Sequence, residues 1–474
     1  MLKVNVFIVL FSLILSGCVT SPSSEDIKSH TILTSSNGMS IFKLDNGLKV
    51  IVKEDHRAPV VIQQVWYRVG SNDEHNGITG VSHMLEHMMF KGTESIKVGE
   101  FSKKISKMGG QENAFTSSDY TAYYQIVGKQ HLESVMKLEA DRMRNLLLDD
   151  AEFQKERDVV TEERRQRTDD NPSSKLYEQF NAVAFLSSPQ RIPVIGWMQD
   201  IRNWKLQDLQ TWYKKWYAPN NATLVIVGDV KPAEVKRYAE KYYGVHQPSE
   251  IVATKPQLEI PQIGKRTITI KGATKLPTVI MGFHVPTLVT ATDEASKREV
   301  YALDMLADIL DGDDSSRLTK SLVRGSKKLA SVSAYYRATS RLKTLFSFSM
   351  TPSEGVSVEQ AQQEIWAEIT KLQNQKVSPK ELNRVLAQTE ASYVYSQDSV
   401  SGQAMVLGSL SSVGLPISTL DNWIENVRKV TPEEIQAVAK KYFLEDKLTV
   451  GILLPSETQA KKMPGAVRHG GNNE

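Results

Sequence analysis

Residues 81–90 read Val-Ser-His-Met-Leu-Glu-His-Met-Met-Phe, and the rest of the chain is arranged around them. His83 and His87 are four residues apart, so on a helix both imidazoles project from one face about one turn apart, with Glu86 beside them. A catalytic zinc site needs neutral nitrogen ligands and a base close to the attacking water. The stretch therefore predicts one half of a zinc site.

The same stretch has a structural alternative. Its other residues are strongly apolar, which is typical of a buried helix whose histidines are only hydrogen-bonded. These residues are Met84, Leu85, Met88, Met89 and Phe90. A third ligand elsewhere in the chain is needed to decide between the two interpretations.

Composition argues against a disordered, a membrane-spanning or a nucleic-acid-binding protein. The chain has 474 residues, of which 40% are hydrophobic and 24% charged, as in ordinary globular proteins. Its length predicts more than one domain. A formal net charge of +3 is small for this length and argues against a nucleic-acid partner.

The amino terminus predicts export and a lipid anchor. Lys3 precedes the apolar run Val4–Leu15, which is too short to span a bilayer comfortably. The run is followed by Ser16-Gly17-Cys18, and this junction resembles the bacterial lipoprotein box, in which the cysteine is lipidated. An ordinary signal peptide with an incidental cysteine is the alternative. Val19 after Cys18 favours the outer membrane, with the protein facing the periplasm.

The chain also contains an internal repeat. The helix and strand signals of residues 208–228 return at 434–454, and the strand ending at Val69 returns at Val285. A duplicated domain explains both offsets. Further signals are a hairpin over 41–52 with its turn at Asn46-Gly47, and one long strand over 113–127.

These patterns predict the domain organisation. We expect two similar domains. The expected segments are a signal peptide (1–17), a tether (18–38), an amino-terminal catalytic zinc-binding domain (39–246), a linker (247–262), a carboxyl-terminal non-catalytic domain (263–456) and a polar tail (457–474). Ala302 and Leu303 occupy the second copy of the histidine helix, so only the first domain is built for chemistry.

Candidates for the third ligand lie on the acidic helix predicted over 151–167. They are Glu152, Glu156, Glu162 and Glu163. Glu156 and Glu163 share one face two turns apart, so one can bind metal while the other supports a neighbouring ligand. A solvated acidic face is the alternative.

Several motifs together resemble the pitrilysin or insulinase family of zinc peptidases, in particular its short bacterial members related to the mitochondrial processing peptidase. The histidine helix has the inverzincin order His-x-x-Glu-His. The other motifs are Phe90-Lys91-Gly92-Thr93, Gly109-Gly110, Asn113-Ala114-Phe115-Thr116, Glu156-Arg157-Asp158-Val159-Val160 with Glu162-Glu163, and Pro193-Val194-Ile195-Gly196-Trp197.

The resemblance implies that both domains are α+β, each an antiparallel sheet backed by helices. It also implies a role for each site residue. One Zn²⁺ per chain is expected on His83, His87 and Glu163, with Glu156 as the supporting acid. Glu86 is expected to be the general base that takes a proton from the attacking water. The family also implies that Asn113 and Ala114 lie on an edge strand that pairs with an extended or unfolded peptide.

The second domain departs from the family pattern. Arg324 fits a family arginine that holds the substrate, but Ser331 stands where its tyrosine partner belongs. Loss of one oxyanion donor costs on the order of a hundredfold in rate or more. We therefore expect a zinc endopeptidase that acts as the zinc-bearing subunit of a hetero-oligomer, or as a homodimer. The alternative is a catalytically silent scaffold or peptide-binding subunit with the same fold.

Overall fold

A computed structural model describes residues 34–36, 38–252 and 255–456 of the chain. The predicted signal peptide, Cys18 and the tail 457–474 lie outside the described residues, as does most of the tether. The predictions of a lipid anchor and of export therefore stay predictions.

Twelve strands in the described part of the chain form two sheets. The first sheet contains β1 (Thr34–Ser36), β2 (Met39–Lys43), β3 (Lys49–Glu54), β4 (Val60–Tyr67), β5 (Gln111–Thr116), β6 (Thr121–Gly128) and β7 (Ala222–Gly228), in the order β1-β2-β3-β7-β4-β6-β5. The second contains β8 (Arg266–Gly272), β9 (Thr278–Val285), β10 (Leu329–Tyr335), β11 (Thr344–Pro352) and β12 (Leu448–Pro455), in the order β10-β11-β9-β12-β8.

The helices form two groups in chain order, one before and one after β8. The first group is α1 (Val81–Met88), α2 (Glu100–Lys107), α3 (Leu132–Asn145), α4 (Asp150–Arg164), α5 (Pro172–Ala184), α6 (Met198–Asn203), α7 (Leu206–Trp216) and α8 (Pro232–Tyr242). The second is α9 (Glu294–Asp311), α10 (Val358–Asn374), α11 (Pro379–Ser396), α12 (Val400–Val413), α13 (Ser418–Arg428) and α14 (Pro432–Tyr442). We call the first sheet with α1–α8 the first unit, and the second sheet with α9–α14 the second unit.

The predicted fold is confirmed, with one refinement. The pairs α7-β7 and α14-β12 repeat the same helix-then-strand plan, and β4 and β9 repeat the strand that precedes the first α-helix of each unit. Each sheet is antiparallel except for one parallel pair, β3 with β7 and β8 with β12. The sheets are therefore mixed, because the last strand of each unit returns beside an early strand through helices rather than through a hairpin.

The single strand predicted over 113–127 is wrong. The structure has an antiparallel hairpin there, in which β5 pairs with β6 from Gln111 opposite Ile126 to Thr116 opposite Thr121. The hydroxyl of Ser117 accepts hydrogen bonds from the backbone N–H groups of Asp119 (3.1 Å) and Tyr120 (3.1 Å), and this closes the turn. Ser and Asp favour such turns for this reason. The hairpin makes β5 an edge strand.

Each unit contributes one helix to the sheet of the other. Leu176 and Phe180 of α5 pack with Ile280 and Leu453 of the second sheet. In return, Leu407 of α12 packs in a cluster with residues of the first sheet. The contact is closest at Gly408, where a Cβ atom would lie 2.0 Å from Cε2 of Trp66. The two units are therefore interlocked.

The segment between α8 and β8 contains the predicted linker, and its bounds as a domain boundary stay a prediction. The Glu259 carboxylate in this segment accepts hydrogen bonds from the backbone N–H groups of Leu186 (3.0 Å), Ser187 (3.0 Å) and Ser188 (2.9 Å). The linker is thus attached to the loop after α5. Across the described ranges, no single helix passes the length and hydropathy test for a membrane span, although α12 and α13 pass it as a pair bent by 96°.

Candidate metal centre

The histidine helix α1 is set in the core of the first unit. Val81, Met84, Leu85 and Met88 are fully buried, as their apolar character predicts. Burial on several sides fixes the helix rotation, so the direction of the two imidazoles follows from packing rather than from the site itself.

The start of α1 is held by a buried carboxylate. Glu74 accepts hydrogen bonds from the backbone N–H groups of Gly80 (2.6 Å) and Ser82 (2.9 Å), which the helix itself leaves without partners. Gly80 has φ +84°, and a Cβ there would lie 2.3 Å from the carbonyl oxygen of Ile195. Only glycine therefore lets the loop 193–196 approach the start of the helix so closely.

The acidic helix α4 packs against α1 and brings two of its carboxylates to the histidines. Asp149 caps the helix by accepting a hydrogen bond from the N–H of Glu152 (3.1 Å). Glu156 is 7% exposed, and Glu163 lies two turns further along. Glu162 is directed away from the site and pairs with Arg165 on the surface (3.3 Å).

His83, His87 and Glu163 converge. Their ligand atoms all lie within 4.8 Å of one another. Oε2 of Glu163 lies 3.4 Å from Nε2 of His87 and 3.8 Å from Nε2 of His83. Zinc with nitrogen and oxygen donors at about 2.0–2.1 Å in a tetrahedron separates those donors by about 3.3–3.5 Å. The three side chains therefore fit a zinc ion with one position left for water or substrate.

Glu156 orients His87. Its Oε1 lies 2.8 Å from Nδ1 of His87, which turns Nε2 of the ring towards Glu163. Its other oxygen pairs with the ammonium group of Lys91. Burial alone would lower the pKa of His87, but the hydrogen bonds with Glu156 and Glu163 outweigh it and raise the pKa to about 9. Burial and the neighbouring His87 lower the pKa of His83 to about 4.

Glu86 is held beside these ligands without being one of them. Its Oε2 accepts a hydrogen bond of 2.5 Å from the hydroxyl of Thr116 at the end of β5. Burial raises the pKa of Glu86 above its ordinary value, although the Thr116 bond opposes this change. A carboxylate whose pKa is raised in this way is better able to accept and then return a proton near neutral pH.

The site opens into a cavity of about 900 Å³. His83, Glu86, His87 and Glu163 form its floor. Residues 113–116 of the edge strand β5 line one wall, so Asn113 and Ala114 lie beside the candidate metal site as the resemblance implies. Residues of α5, including Tyr177, and the loop 190–195 also line the cavity.

The second-unit residues are placed differently. Arg324 is exposed and pairs with Asp314 at 3.0 Å, and it is not among the residues that line the cavity. Ser331 lies on β10, four residues before Tyr335, whose side chain is 62% exposed. The structure therefore does not bring Arg324 to the metal centre.

Three residues of the site had no role in the sequence analysis. The motifs at 113–116 and 90–93 contain Thr116 and Lys91 but assign them no contact, and Arg167 is only the last residue of the predicted acidic helix. Arg167 pairs with Oε1 of Glu163 at 2.6 Å. Helical spacing could have indicated this pair, because the residues are four apart. The contacts of Thr116 and Lys91 depend on tertiary packing.

Comparison with known proteins identifies the family of the chain. Residues 49–196 match the family described as insulinase (peptidase family M16), and residues 203–389 match the peptidase M16 inactive domain. The zinc protease PqqE of Helicobacter pylori is 32% identical over 416 residues, covering 87% of this chain and 92% of that protein. A crystal structure of a protease from Helicobacter pylori superposes with a TM-score of 0.82 at 30% identity, covering 88% of this chain and 99% of the other.

A third relative has a narrower match. The probable mitochondrial-processing peptidase subunit beta of Arabidopsis thaliana is 29% identical over 217 residues, covering 46% of this chain and 41% of that protein. The matched families together extend over most of the two units described above. The chain belongs to peptidase family M16, the insulinase family.

Proposed function

We propose that this protein is a zinc-dependent endopeptidase that cleaves extended or unfolded peptides. The observation that carries the proposal is the convergence of His83, His87 and Glu163, with ligand atoms within 4.8 Å, in a cavity that also contains Glu86. A zinc ion bound there would polarise a peptide carbonyl and activate a water molecule.

The side chains then divide the chemistry among them. Glu86 takes a proton from the attacking water and delivers it to the amine that leaves. Thr116 keeps the Glu86 carboxylate directed into the cavity through its 2.5 Å hydrogen bond. Glu156 holds His87 in the tautomer whose Nε2 is free for metal.

The edge strand supports the choice of substrate. Within the described residues β5 pairs with β6 alone, so its other side has backbone groups for a further strand. Among these groups, the N–H of Ala114 donates to Oδ1 of Asn113 (2.9 Å) until a substrate replaces that bond. An extended peptide added to β5 would cross the cavity beside Asn113 and Ala114. Such pairing reads backbone rather than side chains, and it suits unfolded substrates better than folded ones.

We further propose that the chain works with a second subunit. Arg324 pairs with Asp314 away from the cavity, and Ser331 is too short to replace a tyrosine hydroxyl. A partner of the same family that has both donors would supply them, whereas a homodimer of this chain would bring only a second Arg324 and a second Ser331. We also propose lipidation at Cys18 and a location at the outer membrane, facing the periplasm, on the sequence pattern alone.

The alternative function is a scaffold or a peptide-binding subunit without turnover. The match of residues 203–389 to an inactive domain favours it. Glu86 argues against it, because a scaffold has no use for a buried carboxylate beside three ligand atoms.

The decisive experiment compares the wild type with Glu86→Gln. We measure zinc content by mass spectrometry and cleavage of an unstructured fluorogenic peptide, with and without a chelator. We expect both proteins to contain zinc and only the wild type to cleave the peptide. The chelator should abolish this cleavage. Zinc without cleavage, alone or with a co-expressed family partner, would favour the scaffold. Full activity of the purified chain as a monomer would refute the need for a second subunit, and full activity of a homodimer would refute the need for a different partner.

A further inference from the structure

Arg167 lies at the mouth of the metal centre. It belongs to a π-helical turn, Arg165–Asp169, that directly follows α4. Such turns are rare and are often found at functional sites. Arg167 lines the cavity, and its side chain is 74% exposed, yet its Nη1 lies 2.6 Å from Oε1 of the candidate ligand Glu163.

The two oxygens of Glu163 therefore have different partners. Oε2 faces Nε2 of both histidines, at 3.4 Å and 3.8 Å, and Oε1 faces Arg167. A carboxylate oxygen that is held by a guanidinium group is a weaker and less freely oriented metal ligand, so the arrangement favours binding of a metal ion through the first oxygen alone. Release of that second oxygen would let the carboxylate bind through both.

The number of protein donors matters for catalysis. Catalytic zinc sites have three protein ligands and keep one position for water or substrate. A Glu163 bound through both oxygens would occupy part of that position. The two arginines before Arg167 in the chain have other partners, since Arg165 pairs with Glu162 on the surface and Arg164 pairs with Glu178.

We propose that Arg167 is a positioning residue that keeps Glu163 a one-oxygen ligand and so keeps the fourth position open. This inference rests on the proposed zinc site. The alternative is that Arg167 and Glu163 form only an exposed ion pair, which contributes little to the free energy of unfolding. That alternative predicts no change at the metal when the arginine is replaced.

The test uses the full chain and three variants. Arg167→Met removes the guanidinium group and keeps the length of the side chain, and Arg167→Lys restores a positive charge. Arg165→Met is the matched control, because it removes a neighbouring arginine that pairs with a glutamate outside the cavity. We measure zinc affinity by competition with a chelating dye, and the visible absorption of the cobalt-substituted proteins, which weakens when coordination increases beyond four.

We expect weaker cobalt absorption for Arg167→Met, together with a fall in kcat of about 10-fold and little change in KM. Arg167→Lys should recover part of both signals, and Arg165→Met should match the wild type. An unchanged cobalt spectrum for Arg167→Met, or the same change for Arg165→Met, would overturn the inference and leave the zinc site intact. A wild type that binds neither zinc nor cobalt would overturn both.

Discussion

Replacing Gly408 by alanine tests whether the second unit sets the shape of the substrate site. In a helix interior, alanine is more favourable than glycine by about 0.5–1 kcal/mol, so helix propensity alone predicts stabilisation. The structure predicts the opposite. The new Cβ would lie 2.0 Å from Cε2 of Trp66, where carbon atoms in contact are about 3.5–4.0 Å apart.

Trp66 cannot easily move away. It is fully buried, its Nε1 donates a hydrogen bond to Oε1 of Gln64 (2.8 Å), and its ring packs edge-on against Phe115 (5.3 Å) and Tyr120 (4.8 Å). Helix α12 must therefore shift by about 1.5 Å or more, and overpacking of this kind costs about 1–3 kcal/mol. We expect a value in the upper part of that range.

The assay is urea unfolding followed by tryptophan fluorescence, together with peptide cleavage. Gly408→Ala should unfold at lower urea and lose activity, because Phe115 lies between Ala114 and Thr116 on the cavity wall. Gly264→Ala is the matched control, since nothing lies within 4 Å of its Cβ position. A Gly408→Ala protein that is more stable than the wild type would refute the packing argument.

Three further predictions concern single side chains. Glu156→Gln should weaken zinc binding about 10- to 100-fold in dye competition, because His87 loses its charged partner; unchanged affinity would contradict this role. Thr116→Val should lower kcat with zinc content unchanged, since only the Glu86 bond is removed; loss of zinc would instead indicate a general collapse of the site. Burial, with Asp308 nearby, raises the pKa of Asp304 to about 8, so the carboxyl binds its proton more tightly when folded. The wild type should therefore lose stability from about pH 4 to pH 8, and Asp304→Asn should lose less over that range in thermal melts.

The sequence predicts the part of the site that lies on regular helices. His83, Glu86 and His87 share one turn, and Glu156 and Glu163 share one face of α4, so helical spacing is enough to group them. It does not decide among the four acidic candidates. The resemblance selected Glu163, and the 3.4 Å distance from its carboxylate to His87 supports that choice.

The remainder depends on packing between distant segments. The sequence predicts one strand across the hairpin at Ser117. The segments on both sides of the turn are rich in β-forming residues, and the turn itself is short. The exchange of α5 and α12 has no local signal, since an apolar helix face does not indicate which sheet will cover it. The position of Arg324 was inferred from the family pattern, and in this chain Asp314 holds its side chain instead.

The exchange of helices has a consequence for how the duplicated halves can diverge. The second unit has no histidine ligands on α9, so its metal chemistry can be lost without harm to the first. Its α12 has no such freedom, because it covers Trp66 and rests on the sheet whose edge forms the cavity wall. A half without metal ligands is thus still constrained, at Gly408, by the side-chain volume that the other half tolerates. Replacing either half by the corresponding half of another protein should therefore require that α12 and the surface around Trp66 be replaced together.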